Sequence, residues 1–399
     1  MSYSPYPITI IGSGFTGPLM ALALGHDYGP LFLVDPAPLE QQLDTPSDGR
    51  AIAITQASKA FFSQLGLWEL LAHHAEPLMR VITRQAAGPQ VQITSDHLDG
   101  QPLGYMVDAK ILKDTLLTQA HKQSHITCLT DQITHLDSES PFQSTLTVHL
   151  ASGQSLGSSL VIGADGARSR VRQAANLRHY GWSYDQTAFV RVYQHDNPHH
   201  GQAYETFLPT GPFAILPLPH NRSSIVWAVP NSQAQSLGQL SSEAFDQAAF
   251  PHMEAYTNLT PQSPVWQRPL QGLWVPFFTS HRLALVGDAA HQIHPLAGQG
   301  FNLGIQDVAA LAETLAEGAL LGLDLGSHTL LKRYQQKQRW QHLAFLGATH
   351  GLDRLFSNDN ATLDWVRQKG LQWVENTPAL KRFFAHQGAG LKETVVQPG

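Results

Sequence analysis

The sequence predicts an α/β fold built on a parallel sheet, with an inserted antiparallel β-sheet and a C-terminal helical region. Three observations carry this prediction. Apolar runs end in glycine-containing turns three separate times, at Gly12–Gly17, Gly163–Arg172 and Gly287–Asp307, and the second and third also carry aspartate. From Phe189 to Val229 the pattern changes to alternation, as in Phe189, Arg191, Tyr193 and then Tyr204, Thr206, Leu208, which is the period of strands with one covered face. Beyond the third turn, Val308–Leu321, Leu330–Leu346 and Thr362–Phe384 repeat apolar residues at helical spacing.

The chain has 399 residues, 42% of them hydrophobic, which suffices for a large core and more than one domain. The net charge is -6 with His neutral, so no basic field argues for nucleic acid. The single cysteine, Cys128, excludes an internal disulfide and a cysteine-rich metal site, and its apolar flanks predict a buried strand thiol. No apolar run approaches the roughly 18 residues of a membrane span. A glycine motif already begins at Gly12, where a signal segment would need its apolar core. The expectation is a cytoplasmic protein.

Pro7–Ile11 reads as a strand running into Gly12-Ser13-Gly14-Phe15-Thr16-Gly17, followed by a helix and by the strand Leu31–Val34 with Asp35 at its end. The first glycine turns the chain, the second admits a pyrophosphate, and the third lets helix and strand approach closely. An acid 18 residues beyond Gly17 completes a dinucleotide fingerprint. Asp35 there favours an unphosphorylated adenosine ribose, as in FAD or NAD, over NADP. Arg50–Ile54 alternates like a strand or extended loop, and Ala57–Leu71 is helical by spacing. Val81–Val107 carries β-formers and turn residues, a candidate contribution to a second sheet. Helical spacing returns at Ile111–Ala120, followed by strands at Ile126–Thr130 and Thr145–Leu150.

Leu160–Ile162 then delivers Gly163-Ala164-Asp165-Gly166 to the end of a buried strand, a compact site for hydroxyls or phosphate through Asp165 and Gly166. Arg170 and Arg172 read equally well as a solvated face. In the third motif Leu283–Val286 is an apolar strand ending at Gly287-Asp288. The loop Pro295–Gly300, with Gly298 and Gln299, then opens a helix near Phe301 and Asn302. A carboxylate at the strand end accepts hydrogen bonds from hydroxyls, and a helix start offers unpaired N–H groups and a positive dipole end. A polyhydroxylated, partly anionic cofactor suits that set.

Together the three motifs resemble the FAD-dependent aromatic hydroxylases, flavoprotein monooxygenases of the 4-hydroxybenzoate hydroxylase type. The wording GDAAHQIHPLAGQGFNLGIQD, with RAIAIT at Arg50–Thr55 and GADGARSRVR at Gly163–Arg172, looks most like the ubiquinone-biosynthesis hydroxylases. The resemblance implies a discontinuous Rossmann-like FAD-binding domain over 1–80, 106–177 and 272–345, a substrate-binding domain over 81–105 and 178–271, and a C-terminal helical region and tail over 346–399. It implies that Gly12, Gly14, Phe15, Thr16, Gly17 and Asp35 serve the ADP half of FAD, and that Arg50 reaches the ribitol or flavin. Asp165 and Gly166 would serve FAD and the passing nicotinamide nucleotide. Gly287 and Asp288 would meet the ribitol, and Pro295, Gly298, Gln299, Gly300, Phe301 and Asn302 would meet the flavin. Where the family commonly places a glutamate, glutamine or arginine facing FAD, this chain has Asp108 and Lys110 nearby, so neither is assigned. NADPH, NADH or another donor would reduce the flavin, and O2 would be the second substrate.

The implied activity is hydroxylation of a polyprenylated phenol in ubiquinone biosynthesis through a flavin hydroperoxide, the cofactor supplying the reactive chemistry and the protein placement and dryness. Association with a membrane surface, at its inner face, or with a biosynthetic complex accompanies such a substrate. No side-chain nucleophile is required. His294, before Pro295, is either a base assisting phenol deprotonation or a support of its turn. His291 and His294 form an H-x-x-H pair with no third ligand in context, so no metal is expected. Phe213, Leu216, Pro217 and Trp227 are either substrate-pocket lining or plain core. Rival readings are a same-fold flavoenzyme acting on a soluble aromatic, an alkene or a prenyl chain, and a flavoprotein kept mainly for assembly of a complex. A halogenase lacks support, since the tryptophan signature W-x-W-x-I-P is replaced by SIVWAVP at Ser224–Pro230.

Overall fold

A computed structural model describes residues 6–85, 89–137, 144–208, 210–294, 298–356 and 361–391, with side chains except at 27 and 352–367. Four short apolar strands, Ile8–Ile11, Leu31–Asp35, Leu160–Gly163 and Leu283–Leu285, are the parallel centre of one sheet. Ile8–Ile11 lies between Leu160–Gly163 and Leu31–Asp35, Leu283–Leu285 flanks Leu160–Gly163, and Ile126–Thr130 extends the other side in parallel. Their near-continuous hydrophobicity fits strands covered on both faces. The helices Thr16–Leu24, Ala109–His121 and Gly300–Leu320 supply cover. The side chains of Ile8, Ile10, Leu33, Val161, Leu285 and Val308 share one core.

Register decides what this sheet can do. Ile11 stands level with Gly163 and Val34, and Gly163 with Leu285. The next residues, Gly12, Ala164, Asp35 and Val286, therefore leave the sheet on one edge, at the carboxyl ends of the strands, on both sides of the point where strand order reverses.

The second, larger sheet runs in the order His291–Gln292, Trp266–Trp274, Tyr180–Gln194, Arg222–Pro230, Gly211–Leu218, Gln202–Leu208, Arg80–Gln85 and Gln90–Thr94. Its pairs are antiparallel except Gln202–Leu208 with Arg80–Gln85, which is parallel. Gly104–Asp108 instead joins Ala51–Thr55 and Ala75–Leu78 in a three-stranded sheet.

Several local expectations are refined. The helix expected over 57–71 is two, Gln56–Gln64 and Trp68–Leu71, because the chain turns through Gly66 at φ +65°. The C-terminal helix expected over 362–384 is likewise two, Ala361–Glu375 and Pro378–Gly388; Pro378 lacks the N–H that would continue the first and suits the first turn of the second. These helices lie against the edge strand Gln90–Thr94 and the turn after it, where Glu375 accepts a 2.9 Å hydrogen bond from the Gln92 N–H. A covered edge is protected from pairing with another chain. The strands Ile133–Asp137 and Ser155–Ser158 escaped the sequence reading; they flank Leu146–Leu150 in a small antiparallel sheet. Cys128 is half-buried rather than fully enclosed, and burial pushes its thiol pKa up.

Candidate active site

The three glycine turns meet at one edge of the parallel sheet, and each glycine of the first turn has a distinct surrounding. Gly12 adopts φ +103°, and a Cβ there would sit 2.5 Å from the Ala164 carbonyl oxygen. A Cβ on Gly17 would sit 1.8 Å from the Gly12 carbonyl oxygen, so the helix start cannot recede from the strand end. At Gly14 a Cβ would meet nothing within 4 Å. It borders open space rather than protein, the surrounding a pyrophosphate cradle needs.

The three turns also hold one another. Thr16 stands where a Cβ on Gly287 would be, 2.7 Å from its hydroxyl oxygen, joining the first motif to the third. Arg172, which read as well on a solvated face, is 3% exposed: its guanidinium donates to the carbonyls of Ala289 at 2.9 Å and Ala167 at 2.7 Å, joining the second motif to the third. Arg168 and Arg170 instead face the cavity described below.

That cavity measures about 1160 Å³ and runs from Gly12, Gly14 and Asp35 past Arg50, Asp165, Gly166, Asp288 and Gly298–Phe301 to the large sheet. Asp35 ends its strand with both carboxylate oxygens held, one by the Ser13 N–H at 2.8 Å and one by the Ala37 N–H at 2.9 Å. Asp165 Oδ2 accepts from the N–H groups of Arg170 and Val171 at 2.7 and 3.1 Å, whereas Oδ1 is buried without a partner. Burial pushes its pKa up despite those bonds. Asp288 has no hydrogen bond within the described chain; burial raises its pKa, opposed by the charges of His291, Arg268 and Arg50. Unpartnered carboxylate oxygens at a cavity wall suit the hydroxyls of a ribose or ribitol. The Arg50 side chain is paired with Asp48 at 2.7 Å and lies over the rings of Trp266 and Phe15, at 5.2 and 5.8 Å.

At the helix start, Gly298 adopts φ +61° and Phe301 meets Phe15 at 5.2 Å between ring centroids. Gln299 donates to the Gly388 carbonyl at 3.4 Å, linking this loop to the C-terminal helix. Asn302 is fully buried and does not line the cavity. Its side-chain oxygen accepts from Thr55 N–H at 3.0 Å and the Ser58 hydroxyl at 2.7 Å, while its nitrogen donates to the Ala53 carbonyl at 2.7 Å. The side chain thus clamps the helix start to the strand Ala51–Thr55. Pro295 lies outside the described residues.

His291 and His294 diverge. His294 lines the cavity, with its ring edge-on to Tyr184 at 4.6 Å and Nε2 3.4 Å from Gln186 Oε1. His291 turns away to a buried cluster that sequence spacing did not reveal. Asp307 accepts from Nε2 of both His291 and His342 at 2.7 Å and from the Gly287 N–H at 3.0 Å. The ligand atoms of these three side chains lie within 4.8 Å of one another, a spacing open to a cation, but direct hydrogen bonds already occupy it. Burial alone would raise the Asp307 carboxyl; the two histidines outweigh it and hold it well below the usual carboxylate range. Burial lowers the His342 pKa and keeps it a neutral donor. The cluster fixes Gly287, and with it the position of Asp288.

On the large sheet, strand parity separates the four pocket candidates. Leu216 lines the cavity with Pro212, Ala214, Val226, Ala228, Ala188 and Val190. Phe213, Pro217 and Trp227 are not lining residues, correcting their candidacy. Phe213 and Trp227 stand opposite each other in register with rings 5.6 Å apart, in a second core with Phe189, Phe245 and Met253 on the far face. Alternation gave the two faces but not which one was outward. Sequence reasoning missed Arg268, Trp266 and Glu205 at the cavity, and the only available signal for Glu205 was a lone acid in the apolar strand AYETFL.

Comparison with known proteins identifies the family. Ubiquinone hydroxylase UbiL of Rhodospirillum rubrum is 35% identical over 393 residues, covering 98% of this chain and 91% of that protein. The 3-demethoxyubiquinol 3-hydroxylase of Escherichia coli is 30% identical, covering 98% and 100%. Among solved structures, p-nitrophenol 4-monooxygenase PnpA from Pseudomonas putida superposes with a TM-score of 0.79 at 17% identity over 98% of this chain and all of that one, a likeness of fold. The description "FAD binding domain" matches residues 5–344. With the glycine turns, the unpartnered carboxylates and the cavity between them, this match establishes that the chain belongs to the FAD-binding domain family of flavoprotein monooxygenases.

Proposed function

We propose that this protein is an FAD-dependent monooxygenase that hydroxylates the aromatic ring of a polyprenylated phenol in ubiquinone biosynthesis. The observation that carries the reading is a continuous cavity joining a polar, glycine-walled end to an apolar sheet face. In this reading Gly12, Gly14, Gly17 and Asp35 hold the ADP half of FAD, with Phe15 and Thr16 shaping the turn. Asp165, Gly166, Gly287 and Asp288 meet ribose and ribitol hydroxyls, and Arg50 reaches the ribitol or flavin. Gly298, Gln299, Gly300 and Phe301 bring the helix N-terminus to the flavin edge, where its dipole favours negative charge. Asn302 contributes through its clamp on that loop. The bound FAD supplies oxygen activation, with NADPH, NADH or another donor as reductant and O2 as oxidant. The protein's part is placement and exclusion of water by the apolar sheet face.

The domain division follows the same logic, with 1–80, 106–177 and 272–345 holding FAD, 81–105 and 178–271 covering substrate, and 346–399 forming the C-terminal helical region and tail. A prenylated substrate also favours work at a membrane surface or within a complex. No described helix is long and apolar enough to cross a membrane. The helix Pro378–Gly388 exposes Phe383 beside Arg382 while Phe384 borders the cavity, which supports peripheral contact with a membrane surface.

Purified protein is expected to be yellow and to consume reductant in proportion to hydroxylated product when given a prenylphenol. Colourless protein that refuses reconstitution with FAD refutes the reading. Lipid analysis of a deletion strain identifies the missing ring hydroxylation by the intermediate that accumulates.

A further inference from the structure

The acids that line the cavity are distributed unevenly. Asp35, Asp131, Asp165 and Asp288 stand at or near the ends of the parallel strands. Glu205 stands among the lining residues of the large sheet. It is level with Ala214 on one neighbouring strand and Thr83 on the other, and the same wall carries Val81, Ala203, Pro212 and Leu216.

Glu205 has no hydrogen bond or ion pair among the described residues. The neighbouring Arg84 is directed to the opposite face, where its Nε donates to the Thr206 hydroxyl at 3.0 Å. From the three-stranded sheet packed on Gly211–Leu218, Tyr105 reaches the cavity with its hydroxyl held by Lys59 at 3.1 Å, and Glu76 is occupied by His199 at 3.7 Å. Glu205 retains accessible area because the cavity reaches it, yet burial alone raises its pKa to about 7. A carboxyl in such a wall loses its hydration without an internal donor in return. A ligand carrying a hydroxyl supplies that donor.

We propose that Glu205 accepts the hydrogen bond of the substrate's phenolic hydroxyl and thereby selects phenols over their ethers and fixes which ring carbon is presented for hydroxylation. This rests on the phenol-hydroxylase reading above. The apolar residues around Glu205 accept the ring and chain without direction, so the single acceptor determines orientation.

The test uses FAD-loaded protein titrated with 2-geranylphenol and with its methyl ether, following flavin absorbance, and identifies the hydroxylated position in the product. Wild type is expected to prefer phenol to ether by about tenfold or more, the scale of one hydrogen bond to a charged group. That preference should weaken as pH falls below about 7, because a protonated carboxyl is the poorer acceptor. Glu205→Gln and Glu205→Leu should bind the ether as before, lose most of the phenol preference and its pH dependence, and spread the product over ring positions, with FAD content unchanged. Variants that retain the preference and the single product overturn the role of Glu205 and leave the hydroxylase reading standing. A wild type that converts the phenol without preferring it to the ether overturns it too, with no variant needed. A wild type that neither binds nor converts the phenol overturns the hydroxylase reading and Glu205 with it.

Discussion

The two ends of the cavity are built by different means. At the glycine end, backbone meets backbone: Gly17 approaches Gly12, and Gly12 approaches Ala164, closely enough that no side chain fits. At the sheet end, side chains meet across strands, and Ala188, Val190, Ala214, Val226 and Ala228 form a wall from alternate positions. The first kind of construction tolerates one residue type per position and leaves a mark in the sequence. The second tolerates any apolar residue of fitting volume and marks only a period.

The comparison breaks most readily at Gly17. Gly17→Ala places a methyl group 1.8 Å from a carbonyl oxygen; the expected result is loss of FAD and a destabilisation on the order of 3 kcal/mol or more, measured by bound flavin and denaturant midpoint. Retained flavin at wild-type stability would remove the close approach as a requirement. Of similar size in stability is Asp307→Ala, which strands the Gly287 N–H and two imidazoles; about 3–5 kcal/mol is expected from chemical denaturation.

The same cluster predicts acid sensitivity. His342 has a depressed folded pKa, so its contribution declines as pH falls below its unfolded value near 6.5. Asp307 is also depressed, so its contribution is present above its unfolded value near 3.8 and is lost as pH falls through the folded one. Stability that does not fall from pH 7 downward would contradict both directions.

The sheet end is sharpened by a pair of truncations on one strand. Phe213→Ala should cost roughly 3–5 kcal/mol of stability, because its ring fills the far core. Leu216→Ala should cost less and instead raise the KM for a prenylphenol, because it faces the cavity. Equal effects on KM would mean that strand parity does not assign these roles. The smallest stability effect is expected at Asp288→Ala. Removing a half-buried carboxyl without a hydrogen-bond partner should leave the melting temperature nearly unchanged while weakening FAD retention by about tenfold or more. Unchanged FAD affinity would exclude Asp288 from the site.

The sequence by itself determined the α/β class, the three ligand turns and the apolar strands before them, because glycine positions and hydrophobic period are local consequences of backbone sterics and burial. It also carried Asp35 and Asp288 to strand ends. Only the tertiary structure decided which sheet face was cavity, separating Leu216 from Phe213 and Trp227, since a period of two gives both faces equal claim. It alone united His291 with Asp307 and His342, residues 16 and 35 positions from Asp307, and turned Arg172 inward. Those contacts depend on register and on how a long helix crosses the sheet, which spacing along the chain does not encode.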